Sequence, residues 1–155
     1  MRTQAEKAAA FRVLHERAGA FIIPNPWEAG TAMLLAAMGF EALATTSLGL
    51  ANMLGRADSH VTRAEVIANC RVIAEATDLP VNADLENCFA HEPEAAAETI
   101  RLAAEAGAVG GSIEDYSGNP QKLLFDLNHA KERVAATLLH GSAAGRSQPS
   151  ASTFI

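Results

Sequence analysis

Apolar and polar positions follow two rhythms along the chain. From Thr3 to Ala18 the apolar residues Ala10, Phe11, Val13 and Leu14 recur at roughly helical spacing, which predicts an opening helix. AFIIPNP, from Ala20 to Pro26, is a short apolar run closed by Pro-Asn-Pro and predicts a strand. Thr31 to Met38 predicts a helix stopped by Gly39. EALATTS, from Glu41 to Ser47, predicts a second strand, and LGLANMLGRADSH after it predicts a polar, glycine-containing loop. Thr62 is a good N-cap and Glu65 completes a capping box, so a helix follows to about Thr77. LPVNADLE, from Leu79 to Glu86, predicts a third strand. Pro93 opens a helix that reaches Ala106, with Gly107 behind it. AVGGSIED, from Ala108 to Asp115, predicts a fourth strand, and a last helix is expected over about Leu124 to Leu139.

The order βαβαβαβα predicts a parallel sheet covered by helices. Four such units make either a small open α/β sheet or half of a (β/α)8 barrel, which needs roughly 250 residues. The end of the chain, HGSAAGRSQPSASTFI, is small, polar and aperiodic. Residues 1–140 are therefore expected to form the domain and residues 141–155 a disordered tail. The change of character reads as a truncation or frame change near Ala136.

Composition narrows the function classes. The 155 residues are 49% hydrophobic and 19% charged, which suits one globular domain. No apolar run approaches the roughly 18 residues of a membrane helix. MRTQAEKAAAFRVL lacks the apolar core of a secretory signal, so a cytoplasmic location is expected. The net charge of −6, with no basic stretch, excludes a phosphate-neutralising nucleic-acid binder. The two cysteines, Cys70 and Cys88, form no CxxC pair for zinc or redox chemistry.

In parallel α/β folds the loops after the strand C-termini build the site. The predicted strands end in Asn25, with Trp27 and Glu28 beyond; in Thr45, Thr46 and Ser47; in Asp84 and Glu86; and in Glu114 and Asp115. Asp84 and Glu86 are two apart on a strand and share a face. Glu114 can converge with them from the next strand, and Asp58 from the loop after the second. Packed carboxylates repel unless a cation joins them. With no local Lys or Arg, the pattern suggests a hard divalent cation such as Mg²⁺, which takes oxygen ligands and keeps several waters. The plainer alternative makes Glu86 and Asp115 solvated loop charges and Asp58 a turn residue beside Gly55.

Three stretches together carry a resemblance: FIIPNPWEAGTAMLLAAMGFEALATTSLGLANMLGRAD, PVNADLE and GAVGGSIEDY. In this order and spacing the chain resembles the isocitrate lyase/phosphoenolpyruvate mutase superfamily from about Phe21 to Asp115. It is most similar to the mutase-like or oxaloacetate-decarboxylase-like subgroup. The resemblance implies an α/β fold that is a partial TIM (β/α)8 barrel of about four βα units behind an N-terminal helix. It also implies Mg²⁺ as cofactor, and a small 2-oxo or 2-hydroxy acid whose C–C or P–C bond reacts through an enolate-like form. On the same ground Asp84 looks like the direct metal ligand, with Asp58, Glu86 and Glu114 acting through waters. Ser47, with the backbone N–H groups of Leu48 and Gly49, looks like the clamp for the substrate carboxylate. Ser47, Asp58 and Glu114 are the expected catalytic residues.

The departures from that pattern matter. The family reads D-x-D/E-x-G-Y/F-G after its metal-binding Asp, whereas this chain reads DLENCFA, with Cys88 and Ala90 replacing two glycines. Cys88 is strained if its position needs a positive φ. The lyases carry a K-x-C-G-H loop; YSGNPQKLL after Asp115 holds no Cys, which speaks against isocitrate or methylisocitrate lyase activity. The mutases place a Lys soon after the Glu-Asp pair, where this chain has Tyr116, which speaks against phosphonomutase activity. The family barrel continues beyond the fourth strand, where a substrate-binding Arg and the helices exchanged between subunits lie. The alternatives are a truncated, inactive half-barrel and a small α/β binding module; no strand–helix turn carries a phosphate-loop glycine spacing for the latter.

The remaining candidates have plain readings. Cys88 lacks a nearby His and a neighbouring carboxylate would raise its pKa, so it is not expected to be a nucleophile. Cys70 reads as a small core residue. His60 reads as a solvated loop residue, and His15, His91, His129 and His140 show no metal-ligand spacing. Trp27 reads as packing at a strand exit. Met33 and Met38 read as core filler, and Gly110-Gly111 as small residues that permit tight packing. Open strand edges and apolar faces of a half-barrel predict a homo-oligomer.

Overall fold

The structure, a computed structural model, describes residues 1–144. The opening helix α1 (Gln4–Glu16) starts from a full capping box between Thr3 and Glu6. Helix α2 (Ala29–Ala37) is capped by Glu28, whose carboxylate accepts from the Gly30 and Thr31 amides. Strand β1 (Leu43–Ala44) leads into α3 (Ser47–Met53), and α4 (Arg63–Glu75) follows with the expected Thr62–Glu65 capping box. Strand β2 (Val81–Asp84), helix α5 (Pro93–Glu105) and strand β3 (Gly110–Ser112) continue the alternation. A hairpin of β4 (Tyr116–Asn119) and β5 (Lys122–Leu124) precedes α6 (Leu127–Ala144).

The sheet runs β1-β2-β3 and is parallel throughout. Helices alternate with its strands, so the chain folds as part of a (β/α)8 barrel, as expected. Among the described residues no helix is long and apolar enough to cross a membrane.

Four details differ from expectation. The Ala20–Pro26 segment lies beside β1, where Pro24 O accepts from the Ala44 amide at 3.1 Å, but it is not a regular strand. Pro24 and Pro26 have no N–H to extend a ladder. Second, the segment expected as a loop after Ser47 opens with helix α3. Thr46 caps it through the Gly49 amide, and Ser47, Leu50 and Ala51 bury one face at helical spacing. Gly49 is required there, because a Cβ would lie 2.6 Å from Thr46 Cγ2 and 3.0 Å from Trp27 Cβ. Third, the β4–β5 hairpin was not expected, and it delays the last helix to Leu127; the Asp126 carboxylate accepts from the His129 amide at 3.1 Å in that helix's first turn. That helix continues to Ala144, past the expected domain boundary, and the rest of the expected tail lies outside the described residues. Fourth, Met33 and Met38 are not core filler: they are 59% and 65% exposed, since α2 turns Ala32 and Leu35 inward instead.

Three apolar clusters support the site. The largest packs α4 and α5 against the strands through Val66, Cys70, Ala83, Leu85, Ile100 and Ala103. Gly110 sits where Asn82 and Phe11 converge, so a Cβ there would lie 2.6 Å from Asn82 Oδ1 and 3.0 Å from Phe11 Cε1. The tight packing expected of this glycine is present. Gly110→Ala is predicted to destabilise the fold by about 1–3 kcal/mol in urea unfolding, the usual cost of overpacking. A stability equal to that of the unmodified protein would contradict this packing.

Candidate functional site

The site grows from the end of β2. The Asp84 amide donates to Thr45 Oγ1 at 2.8 Å, which ties the ends of β1 and β2 together. The Asp84 carboxylate faces the N-terminus of α3: Oδ2 accepts from the Ser47 amide at 2.8 Å, and Oδ1 from the Glu86 amide at 3.3 Å. A carboxylate is well placed at the positive end of a helix. The Glu114 amide donates to Glu86 O at 2.8 Å and brings the end of β3 alongside. The Ser47 side chain favours the charged form of the Glu86 carboxylate. The Glu86 oxygen Oε1 is buried without any partner.

Electrostatics show which carboxylates meet. Glu86 is held above the ordinary glutamate range, first by burial and then by Asp84, Asp58 and Glu114. Glu114 is raised by burial and by Asp84, Asp58 and Asp115. No Lys or Arg contributes to either shift. Of the four residues expected to face a metal, Glu86 and Glu114 thus each lie within electrostatic reach of Asp84 and Asp58. The four do not close into a tight ligand set: among the described residues no three His, Cys, Asp or Glu groups stand at metal-holding distance. A donor set made only of oxygens, with one buried oxygen unpartnered, fits a hard divalent cation that keeps part of its water shell.

The expected substrate clamp is partly committed elsewhere. The Ser47 amide serves Asp84, and the Gly49 amide donates to Thr46 Oγ1 at 3.2 Å. Leu48 is exposed beside them. Asp58 lies in an exposed turn, accepting from the Ser59 amide at 2.9 Å, and its carbonyl contacts His60 Nδ1 at 2.8 Å. Glu28 belongs to the cap of α2 and not to the acidic cluster.

The DLENCFA loop is wound through left-handed backbone. Glu86, Cys88 and Phe89 have φ of 48°, 58° and 54°. Cys88 is therefore strained as expected, whereas Ala90 is not among the positive-φ residues. Left-handed backbone costs roughly 1–2 kcal/mol per non-glycine residue. The loop is held by hydrogen bonds to its carbonyls. Thr99 Oγ1 donates to Cys88 O at 2.7 Å. Arg133 of α6, 1% exposed, donates to the carbonyls of Asn87 (2.5 Å), His91 (2.8 Å) and Ala90. Charge-assisted hydrogen bonds contribute about 1.5–3 kcal/mol each, enough to offset the strain. Sequence reasoning missed Arg133. Its signal was a cation on the buried stripe of the last helix, in phase with Ala136 and Thr137. Burial pushes the Cys88 and Cys70 thiols up to about 12, so neither is a nucleophile near neutrality.

With this geometry in place, the relationship to known proteins becomes specific. Residues 11–147 match the family model of phosphoenolpyruvate phosphomutase. The chain belongs to the phosphoenolpyruvate phosphomutase family. Among solved relatives of the family, a candidate lyase/mutase of Burkholderia cenocepacia J2315 is 53% identical, with a TM-score of 0.86 over 94% of this chain and 51% of that one. A 2,3-dimethylmalate lyase of the phosphoenolpyruvate mutase/isocitrate lyase superfamily is 27% identical, with a TM-score of 0.81 over 94% of this chain and 51% of that one. A phosphonopyruvate hydrolase crystallised with oxalate and Mg²⁺ shares the fold at 18% identity and a TM-score of 0.82, over 90% of this chain and 48% of that one. The chain thus spans about half the length of these phosphomutase-family relatives. The superfamily comprises lyases and mutases acting on C–C or P–C bonds.

Proposed function

We propose that the acidic end of the sheet is a Mg²⁺ site that serves C–C or P–C bond chemistry on a small 2-oxo or 2-hydroxy acid. The observation that carries this reading is that Glu86 and Glu114 each feel Asp84 and Asp58, with no Lys or Arg contributing to either shift and with Glu86 Oε1 buried and unpartnered. Asp84 would hold the ion directly, and Glu86, Asp58 and Glu114 through water. The bound ion would supply Lewis-acid stabilisation to a substrate oxygen that gains negative charge as an enolate forms. Asp84 is oriented for this role by the Ser47 and Glu86 amides, which fix both of its oxygens. Leu48 N–H and the Ser47 hydroxyl would meet the substrate carboxylate. The likeness to a Mg²⁺- and oxalate-bound hydrolase supports the fold's capacity for such a site.

Proton exchange at C3 of pyruvate, followed by NMR in D₂O, tests enolate formation. Deuterium is expected to enter the methyl group only when Mg²⁺ is present. Exchange that is independent of the metal would contradict the reading.

A second reading, metal binding without turnover, is favoured by one observation. β3 is an edge strand among the described residues, and an open groove of about 660 Å³ runs beside it between Ile113, Glu114 and Tyr116 and the α6 residues Val134 and Leu138. Mg²⁺ binding without any exchange would assign the chain this second reading. The groove and the exposed Met33, Leu34 and Met38 of α2 also lead us to expect self-association. Light scattering is predicted to give at least twice the mass of one chain, and a strict monomer would count against it.

A further inference from the structure

The loop that carries Glu86 into the acidic cluster is held from a distant part of the chain. Its backbone passes through left-handed conformations at Glu86, Cys88 and Phe89, none of which is a glycine. A free loop of these residues would relax toward ordinary backbone, and Glu86 would swing with it. Within the loop the Cys88 amide donates to Leu85 O at 2.7 Å and the Phe89 amide to Asn87 Oδ1 at 3.0 Å. The carbonyls of Asn87, Ala90 and His91 face α6, where the Arg133 guanidinium takes all three at once, and that of Cys88 faces α5, where the Thr99 hydroxyl donates to it.

Arg133 is itself fixed. Its guanidinium carbon lies 4.2 Å from the centroid of the Phe125 ring, and the side chain is almost wholly buried. The fork of a guanidinium can serve three carbonyls in fixed directions; a lysine ammonium is a single point donor on a flexible stem. None of the carboxylates in the acidic cluster accepts from Arg133, so its effect on the site passes through the loop backbone. We propose that Arg133 is a positioning residue, which clamps the Asn87–His91 carbonyls and so holds the Glu86 carboxylate at the acidic end of the sheet. The part of this inference that concerns metal affinity rests on the proposed Mg²⁺ site; the clamping of the loop does not.

Two readouts separate these parts. Thiol labelling with Ellman's reagent, resolved by peptide mass analysis, follows the loop without metal. Cys88 lies in the loop, and Cys70 lies in α4 as an internal control; both are buried. In Arg133→Lys, Cys88 is expected to label at least tenfold faster with Cys70 unchanged. In Arg133→Ala, tens of millimolar guanidinium, but not sodium chloride, is expected to slow Cys88 again. Equal acceleration of both cysteines in both variants would make Arg133 a general support of the fold and overturn the proposal, as would no acceleration. Mg²⁺ titration of the same proteins is expected to show at least tenfold weaker binding in Arg133→Lys. Cys88 released with Mg²⁺ affinity unchanged would overturn the link to Glu86. Failure of the unmodified protein to bind Mg²⁺ would refute the metal site alone, because the labelling contrast still decides whether Arg133 holds the loop.

Discussion

Asp84→Asn is expected to abolish Mg²⁺ binding while leaving the fold in place. The substitution keeps one oxygen to accept from the Ser47 amide, the shorter contact at 2.8 Å, and gives up only the 3.3 Å contact with the Glu86 amide. It removes the charge that a hard cation requires. An alanine would confuse the result, because each orphaned amide costs about 1–3 kcal/mol. Loss of an outer ligand partner typically weakens metal binding by about 10–100-fold, so loss of the direct ligand should exceed about 100-fold. Calorimetric titration measures the affinity, and circular dichroism shows whether α3 and the sheet persist. Mg²⁺ binding retained within tenfold in a folded Asp84→Asn protein would remove Asp84 from the metal's contacts.

Glu86→Gln is expected to stabilise the metal-free protein while weakening the site. Glu86 is half-buried beside three carboxylates, and its pKa is raised by burial first and by their charges second. A glutamate raised in the folded state binds more protons there than in the unfolded chain. Metal-free stability should therefore be highest below the ordinary glutamate range, fall as pH rises through the interval up to the raised folded pKa, and stay low at neutrality. Glu114 adds to the effect in the same direction. The neutral amide removes the repulsion, so the melting temperature at pH 7 without metal should rise by about 2–5 °C. The pH dependence of that melting temperature should flatten as well. Mg²⁺ affinity should fall by about tenfold, the scale for a ligand acting through water. A melting temperature that drops in Glu86→Gln would mean that Glu86 is held by favourable contacts and is not under charge repulsion. This opposition between stability and binding is the usual mark of a site arranged for a ligand.

Much of this was legible in the chain, for reasons specific to particular residues. The Thr62–Glu65 capping box and Pro93 located their helices because local hydrogen bonding and proline chemistry act within one turn. Asp84 and Glu86 were expected to share a face of one strand, but β2 ends at Asp84 and Glu86 lies beyond it in left-handed loop backbone, so strand alternation does not place it. Cys88 could be named as strained because the family resemblance puts a glycine at its position, and its φ is 58°. What escaped had other causes. The Ala20–Pro26 segment has the apolar content of a strand, but its prolines cannot donate to a ladder. Helix α3 was hidden because SLGLANM holds a glycine, whose smallness answers to Trp27 and Thr46 and not to a turn. Met33 and Met38 pointed outward although α2 is apolar on every side, so no period could tell which face was covered. Arg133 escaped because its partners are backbone carbonyls more than forty positions away, which leave no trace in side-chain spacing.

The most direct test is calorimetric titration of the unmodified protein with Mg²⁺, with and without oxalate as a mimic of the enolate. Binding that oxalate strengthens is the predicted result, since the carboxylates at the strand ends would then hold an ion that a 2-oxo acid can share. No binding on the order of millimolar Mg²⁺, with or without oxalate, would contradict the account: Asp84, Glu86, Asp58 and Glu114 would then be neighbours with no ion to join them.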